Sequence, residues 1–391
     1  MGETHSEIGG LKITLGDFMK VAVVHDWLYT PGGAEKVLAA ILSCFPEADL
    51  FCLFDVMRQR DRAFLKGTRC VCSFLQKMPG LTRNHRIYLP LMPLAIEQFD
   101  LSAYDLILSS SYAVAKGVLT GPDQLHLSYV HSPMRYAWDL QHQYLQESGA
   151  ARGAKSVLVR MLLHRMRLWD TRTANGVNAY AANSAFIARR IKKVYGKDAR
   201  VIYPPVDVPA VLTAHDREDF FLTASRLVPY KNVHAIVRAF EQLPREHLIV
   251  VGDGPESERL RRLAGPNVTL AGFVPDEQLR CLMGAARAFI FAAEEDFGIA
   301  PVEAQAEGTP VIAWNRGGVR ETVLHEAPDS TGLFFDNPDP ATIAAAVGAF
   351  IGKEHEFSAE RNHANATRFS RERFLRDFRD FVSFHQSQFA A

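Results

Sequence analysis

Residues 294–313 read Glu294-Glu295-Asp296-Phe297-Gly298-Ile299-Ala300-Pro301-Val302-Glu303-Ala304-Gln305-Ala306-Glu307-Gly308-Thr309-Pro310-Val311-Ile312-Ala313. An acidic loop reaches Gly298, a helix holding Glu303 follows, and Gly308-Thr309-Pro310 ends it before a run suited to a buried strand. With the apolar run Ala288–Ala292 in front, the order is strand, loop, helix, strand. That is the repeating unit of a parallel sheet with helical crossovers. The helix start, at about Gly298 to Val302, offers unpaired backbone amides and a partial positive charge to an anion. Glu295 and Glu303, eight positions apart across the bend, can accept from two different sets of hydroxyls, as at a sugar and a ribose.

Outward from this segment the same alternation recurs. Strands are predicted at Val21–His25, Leu106–Ser110, Leu127–Val130 and Ala179–Asn183, then at Phe220–Ala224, Leu248–Val251, Val268–Ala271, Ala288–Ala292 and Pro310–Ala313. Helices are predicted at Ala34–Cys44, Val233–Gln242, Glu256–Leu263, Asp276–Gly284, Pro301–Ala306 and Ala341–Phe350. Two such blocks in 391 residues, more than one core usually serves, imply an α/β protein of two Rossmann-like, doubly wound domains facing across a cleft. Tyr203-Pro204-Pro205 is the linker candidate, because the proline pair fixes an extended segment. The divisions expected are 19–204 for the first domain, 205–370 for the second and 371–391 for a final helix. Phe374, Leu375, Phe378, Phe381 and Val382 form one stripe on that helix, which should pack back toward the first domain. Residues 1–18 lack pattern and read as a leader or upstream remnant, with Met19 the expected natural start.

Lys plus Arg and Asp plus Glu are 44 each, so the chain lacks the basic excess of a nucleic-acid binder. No apolar run is long enough to span a bilayer, and the N-terminus lacks a secretion-signal layout, so a cytoplasmic location is expected. The five cysteines, Cys44, Cys52, Cys70, Cys72 and Cys281, show no C-x-x-C spacing and read as reduced, small apolar residues. Neither an Asp-x-Asp pair nor a His/Cys cluster with ligand spacing is evident, so no metal and no cofactor are expected.

Other segments could carry chemistry. Arg226 and Lys231, five apart straight after a strand, can converge on one polyphosphate, with a solvated basic loop as the alternative. Gly252 and Gly254 form a glycine turn that opens a helix, and Phe273-Val274 follows the next strand, where Phe273 could stack on a base or cap the core. Gly32-Gly33 precedes a helix, either a site for a phosphate or a tight turn. His131 is a lone histidine at a strand end.

Taken together, the Glu-x7-Glu run, Ser-Arg-Leu-x5-Asn with Lys231, Val-Gly-Asp-Gly-Pro and Glu-Gly-Thr-Pro-Val resemble, in order, the retaining glycosyltransferases of family 4, the "group 1" type, of GT-B fold. The resemblance extends to Gly-Gly-Ala-Glu, and the combination with His-Asp-Trp-Leu and Val-His-Ser-Pro-Met-Arg-Tyr-Ala-Trp-Asp is similar to a mannosyltransferase-like branch. It implies transfer of a sugar, with GDP-mannose the favoured donor, to a glycan or polyprenyl-diphosphate-linked acceptor in surface polysaccharide synthesis. UDP- and dTDP-sugars stay open. Arg226 and Lys231 would bind the diphosphate, Glu303 the ribose, and Glu295 the donor sugar with amides near Phe297, Gly298 and Ile299. Gly33 would approach the phosphate from the other domain and His131 would lie near the sugar. Same-face transfer without a metal, the leaving phosphate accepting the hydroxyl proton, is the mechanism implied. Asn183 and Ser184 match a segment near the cleft, and the basic and apolar stretch holding Arg83 and Arg86 is an acceptor-side candidate. Lys155–Arg172 interleaves arginines with apolar residues, as in a helix lying on an anionic membrane or in an ordinary core helix. A non-hydrolysing sugar-nucleotide epimerase and a degenerate scaffold protein are the competing readings.

Overall fold

Val21–His25 (β1) is buried over four of its five residues, as a strand covered on both faces must be. The computed structural model describes residues 19–147, 149–213, 216–326 and 328–389, and the expected leader at 1–18 lies outside the described residues. Around β1 a seven-stranded sheet forms from β2 (Asp49–Cys52), β3 (Cys70–Cys72), β4 (Leu106–Ser111), β5 (Leu125–Val130), β6 (Ala179–Ala182) and β7 (Ala199–Val201). Its order is β3-β2-β1-β4-β5-β6-β7, and every pair is parallel. A second, six-stranded parallel sheet holds β8 (Phe221–Ala224), β9 (Leu248–Val251), β10 (Val268–Gly272), β11 (Ala288–Phe291), β12 (Val311–Trp314) and β13 (Gly332–Phe335). Its order, β10-β9-β8-β11-β12-β13, reverses between β8 and β11, just as the first sheet reverses between β1 and β4. Each reversal opens a crevice at the carboxyl ends of the strands, where such folds bind ligands.

The chain crosses between the sheets twice. Val206 pairs in parallel with Ser370, through Val206 N–H to Phe369 O at 2.9 Å and Arg371 N–H to Val206 O at 3.1 Å. Tyr203, Phe297 and Phe369 pack their rings around this double crossing, at centroid distances of 5.0 to 5.7 Å. The second crossing delivers the helix Arg371–Phe389 to the first domain, as its stripe predicts. Phe374, Phe378, Phe381 and Val382 are buried in the same core as β1 and the helix Gly33–Cys44, each contributing on the order of 2 kcal/mol of hydrophobic burial.

Sequence patterning misses the shortest elements. β2, β3, β7 and β13 hold three or four residues each, and β3 and β7 have none fully buried, so no apolar run marks those two. It also misses what β2 and β3 bring together: Cys52, Cys70 and Cys72 are adjacent, not scattered apolar residues. The basic helix Gly153–Thr173 is anchored by Leu163, Met166 and Asp170, while Val157, Leu158, Met161 and Leu168 face outward at 55 to 68% exposure. Among the described residues no helix is long and apolar enough to cross a membrane. Beneath that helix, Lys116 and Asp170 form an ion pair at 2.8 Å in the core. Trp138 and Tyr195 also donate to the Asp170 carboxylate, so its charge is fully met by donors.

Candidate functional site

The two sheets face one another across a cleft of about 880 Å³ lined from both domains. On the C-terminal side, β8 ends at Ala224 and the chain continues with Ser225 N–H on Val251 O and Leu227 N–H on Asp253 O, at 3.1 and 2.9 Å. Arg226 sits between those two anchored residues and lines the cleft. Gly252 and Gly254 are what let the strands come so close. A Cβ on Gly252 would lie 1.9 Å from Ser225 O, and one on Gly254 2.4 Å from Leu227 O. Expected to touch a donor, both instead stand behind the Arg226 loop and line no part of the cleft.

Lys231 is placed by Asn232, which adopts a left-handed conformation (φ 54) and donates its side-chain N–H to Ala292 O at 3.0 Å, at the end of β11. The Lys231 ammonium pairs with Glu295 inside the cleft. Glu295 is held by its own backbone, since Gly318 N–H donates to its carbonyl at 2.8 Å and Gly317 packs where any side chain would clash. Gly298, with φ +86, then turns the chain into the helix Ile299–Ala306, whose start lines the cleft with Phe297 and Glu303. Phe273 and Val274 do not reach this site. They follow β10, the edge strand two places from the reversal, where Phe273 is 80% exposed and Val274 packs into the core.

The N-terminal side is built differently. Gly32 and Gly33 open the helix Gly33–Cys44, and a Cβ on Gly33 would lie 2.7 Å from the Ile299 side chain, so this loop closes directly on the opposite helix start. His131 follows β5, its Nε2 within 2.9 Å of the Ser110 hydroxyl, which lies 3.1 Å from His25 Nδ1. Burial, with His25 adding to it, pushes the His131 imidazole down to about 3, so the ring is neutral at physiological pH. Rings form the rest of the wall. Trp27 stacks on Phe54 at 5.8 Å, and its ring meets Tyr112 edge-on at 4.9 Å. Tyr29 and His85 lie 4.8 Å apart. Burial pushes His85 down to about 4, with the Arg86 and Arg226 charges acting in the same direction.

Of the acceptor-side candidates, Arg86 and Asn183 line the cleft and Arg83 does not. Asn183 donates to His131 O at 2.9 Å, which steadies the histidine loop. Ser184 is committed to structure: its hydroxyl accepts from Ile187 N–H as a helix cap and donates to Asp296 O across the domain boundary. That boundary carries contacts that sequence reading missed. Lys36 reaches Glu303 at 2.6 Å, so the carboxylate expected on a ribose is held here by a lysine of the facing domain. Arg190 and Arg135 approach Asp296 at 3.1 and 3.6 Å. Glu321 accepts from the Ala185 and Phe186 amides at 2.7 and 2.8 Å, capping a helix of the opposite domain. Only Lys36, one residue past Gly-Gly-Ala-Glu, had a flanking signal that could have exposed it.

Lys36, Arg86, Arg135, Arg226 and Lys231 thus line one cavity, three of them paired with its carboxylates, beside a helix start and a neutral imidazole. Such a site can hold a polyanion while its far wall presents aromatic and hydroxyl-bearing surface. The comparisons with known proteins fall into place against that geometry. The family model "Glycosyl transferases group 1" matches residues 208–368, and "Glycosyltransferase Family 4" matches residues 31–209. A GDP-mannose-dependent alpha-(1-6)-phosphatidylinositol monomannoside mannosyltransferase of Mycobacterium tuberculosis is 30% identical over 214 residues, covering 46% of this chain and 54% of the relative. A D-inositol 3-phosphate glycosyltransferase of Geodermatophilus obscurus is 32% identical over 219 residues, covering 47% of this chain and 48% of the relative. The chain therefore spans about half the length of the curated relatives it matches. Among solved structures, Anabaena HepE in complex with UDP superposes with a TM-score of 0.68 at 20% identity, covering 93% of this chain and all of that one. Sucrose-phosphate synthase from Thermosynechococcus elongatus gives 0.68 at 16% identity, covering 96% of this chain and all of that one.

Proposed function

The chain belongs to the family 4 glycosyltransferases of GT-B fold, and from that premise we propose that it moves a sugar, with retention, from a nucleoside diphosphate to a hydroxyl of a glycan or lipid-linked glycan. The observation that carries this reading is the convergence of Arg226 and Lys231 beside the start of the Ile299–Ala306 helix, with Gly33 closing from the other domain. Two fixed cations and free helix amides suit a departing diphosphate, whose charge grows as the sugar–oxygen bond breaks. The sugar carbon gains a bond to the acceptor oxygen and loses its bond to the phosphate oxygen. The acceptor proton passes to that phosphate on the same face. This reading needs no metal ion, because the charge is already supplied by side chains. Turnover unchanged in EDTA is the expected result, and a loss restored by Mg²⁺ or Mn²⁺ would refute it.

GDP-mannose is the donor favoured, on the strength of the mycobacterial relative's name. A thermal-shift panel of GDP, UDP, dTDP and ADP tests it. Binding to the folded state raises the unfolding midpoint, and GDP should raise it most. A larger shift with UDP would redirect the reading toward a UDP-sugar. For the acceptor, the outward-facing Val157, Leu158, Met161 and Leu168, on a helix that also carries Arg160 and Arg165, favour a lipid-linked substrate met at an anionic membrane surface. Exposed Ile87 and Leu94 add apolar surface to the same domain. Flotation with phosphatidylglycerol vesicles should carry the protein upward. Failure to float, together with equal activity on a water-soluble acceptor, would discard the membrane part.

A further inference from the structure

Cys52 comes from one segment and Cys70 and Cys72 from another, yet all three sulfurs lie within 4.8 Å of one another. β3 is the edge of the first sheet, and its pairing with β2 sets Cys72 opposite Cys52. Cys70, two positions along β3, shares the face of Cys72. The Cys52 sulfur is 2.7 Å from that of Cys70 and 3.8 Å from that of Cys72. Cys52 is buried, while Cys70 and Cys72 are half-buried and reachable from solvent at the sheet edge. Among the described residues no other three His, Cys, Asp or Glu ligand atoms meet in this way. The proposed sugar transfer does not use them.

Three thiols make poor company for each other, since S–H is a weak donor and sulfur a weak acceptor. A soft cation resolves the crowding better, because thiolate sulfur selects soft metals.

We infer that Cys52, Cys70 and Cys72 form a three-sulfur site for a soft monovalent metal ion of the Cu⁺ class, clipping edge strand β3 to β2. With no His or carboxylate atom in the cluster, the site departs from the four-ligand set of structural zinc. Metal–sulfur bonds of about 2.3 Å in a trigonal arrangement would place the sulfurs roughly 4 Å apart. The Cys52–Cys72 spacing of 3.8 Å meets that already, and Cys70 needs only to swing its sulfur outward at the exposed edge. Each thiol that ligates Cu⁺ as a thiolate releases its proton to solvent. The clip would also close the loop of residues 53–69, whose Phe54 stacks on Trp27 at the cleft wall.

The test is an anaerobic titration of the full chain with Cu⁺ against a colorimetric Cu⁺ chelator, followed by X-ray absorption at the copper edge. One retained ion per chain with three sulfur neighbours is expected, together with a raised unfolding midpoint. Cys72→Ser and Cys70→Ser should each weaken retention by more than about 100-fold, beyond what even outer-shell partners cost. Cys44→Ser and Cys281→Ser should leave it unchanged. Should Cys52→Ala fail to fold, the half-buried Cys72→Ser, checked by circular dichroism, still decides. Retention undiminished in Cys72→Ser would overturn the inference, as would preferred binding of four-coordinate zinc. A Cys52–Cys70 disulfide that binds no copper after reduction would overturn it too.

Discussion

On the C-terminal wall of the cleft, Arg226 and Glu295 are fixed by backbone hydrogen bonds beside closely packed glycines, and Lys231 by the Asn232 side chain bound to Ala292 O at the end of β11. On the N-terminal wall, Trp27, Tyr29, His85, Tyr112 and His131 arrive from separate segments and hold one another through ring contacts and a buried hydroxyl. One wall draws its charges from short local segments; the other sets Lys36, Arg86 and Arg135 among rings and is assembled from a distance. The difference fits a division in which the first wall meets the invariant diphosphate of a donor and the second meets the varied remainder of the reaction. Backbone-held cations suit a task of fixed geometry. Packed rings tolerate changes of partner.

The division breaks most readily at Lys231. Lys231→Ala should lower kcat by about 10³-fold, the scale of losing one preorganised charge partner, with little change in unfolding midpoint. A comparable loss from Trp27→Ala, measured on the same acceptor, would erase the contrast between the walls. The next largest effect concerns support rather than chemistry. Asp170→Asn leaves the Lys116 ammonium buried without its carboxylate and should cost about 3–5 kcal/mol in urea unfolding. The remaining folded fraction should still bind nucleotide, since Asp170 does not line the cleft.

Acid should weaken the N-terminal wall before the C-terminal one. His126 and His131 are pushed by burial to about 4 and about 3, well below the unfolded value near 6.5. Between those values the unfolded chain binds more protons than the folded one, so stability falls as pH drops below about 6.5. Urea midpoints at pH 7 and pH 5 should differ in that direction, and His131→Asn should shrink the difference. The smallest expected effect lies at Lys36. Its partly exposed pair with Glu303 contributes about 0–1 kcal/mol, so Lys36→Met should change the unfolding midpoint little. The donor KM should nonetheless fall, within about tenfold, because Glu303 is then free for hydroxyl donors.

How much of this could be read from sequence follows the same division. The Glu295-to-Glu303 bend, Gly298 and the Arg226–Lys231 pair are local in the chain, so spacing raised them as candidates and the resemblance in motif order gave them roles. Gly252 and Gly254 were noticed, but not the Ser225 and Leu227 carbonyls they make room for. A glycine turn marks close backbone approach, and sequence cannot say whether a ligand or a neighbouring strand makes it. The Lys36–Glu303 and Arg190–Asp296 contacts join residues more than a hundred positions apart and depend on how the domains face each other. No local pattern encodes that. The cysteine cluster stayed hidden because Cys52 lies 18 positions before Cys70, and only the pairing of β2 with β3 brings their sulfurs together.

The central claim is that the C-terminal wall binds a nucleoside diphosphate through Arg226 and Lys231. Titration calorimetry of GDP into the unaltered chain and into Arg226→Ala/Lys231→Ala tests it most directly. The account predicts a single site in the former and its loss, by about 100-fold or more in Kd, in a variant that keeps its fold. Equal affinity in both proteins would contradict it.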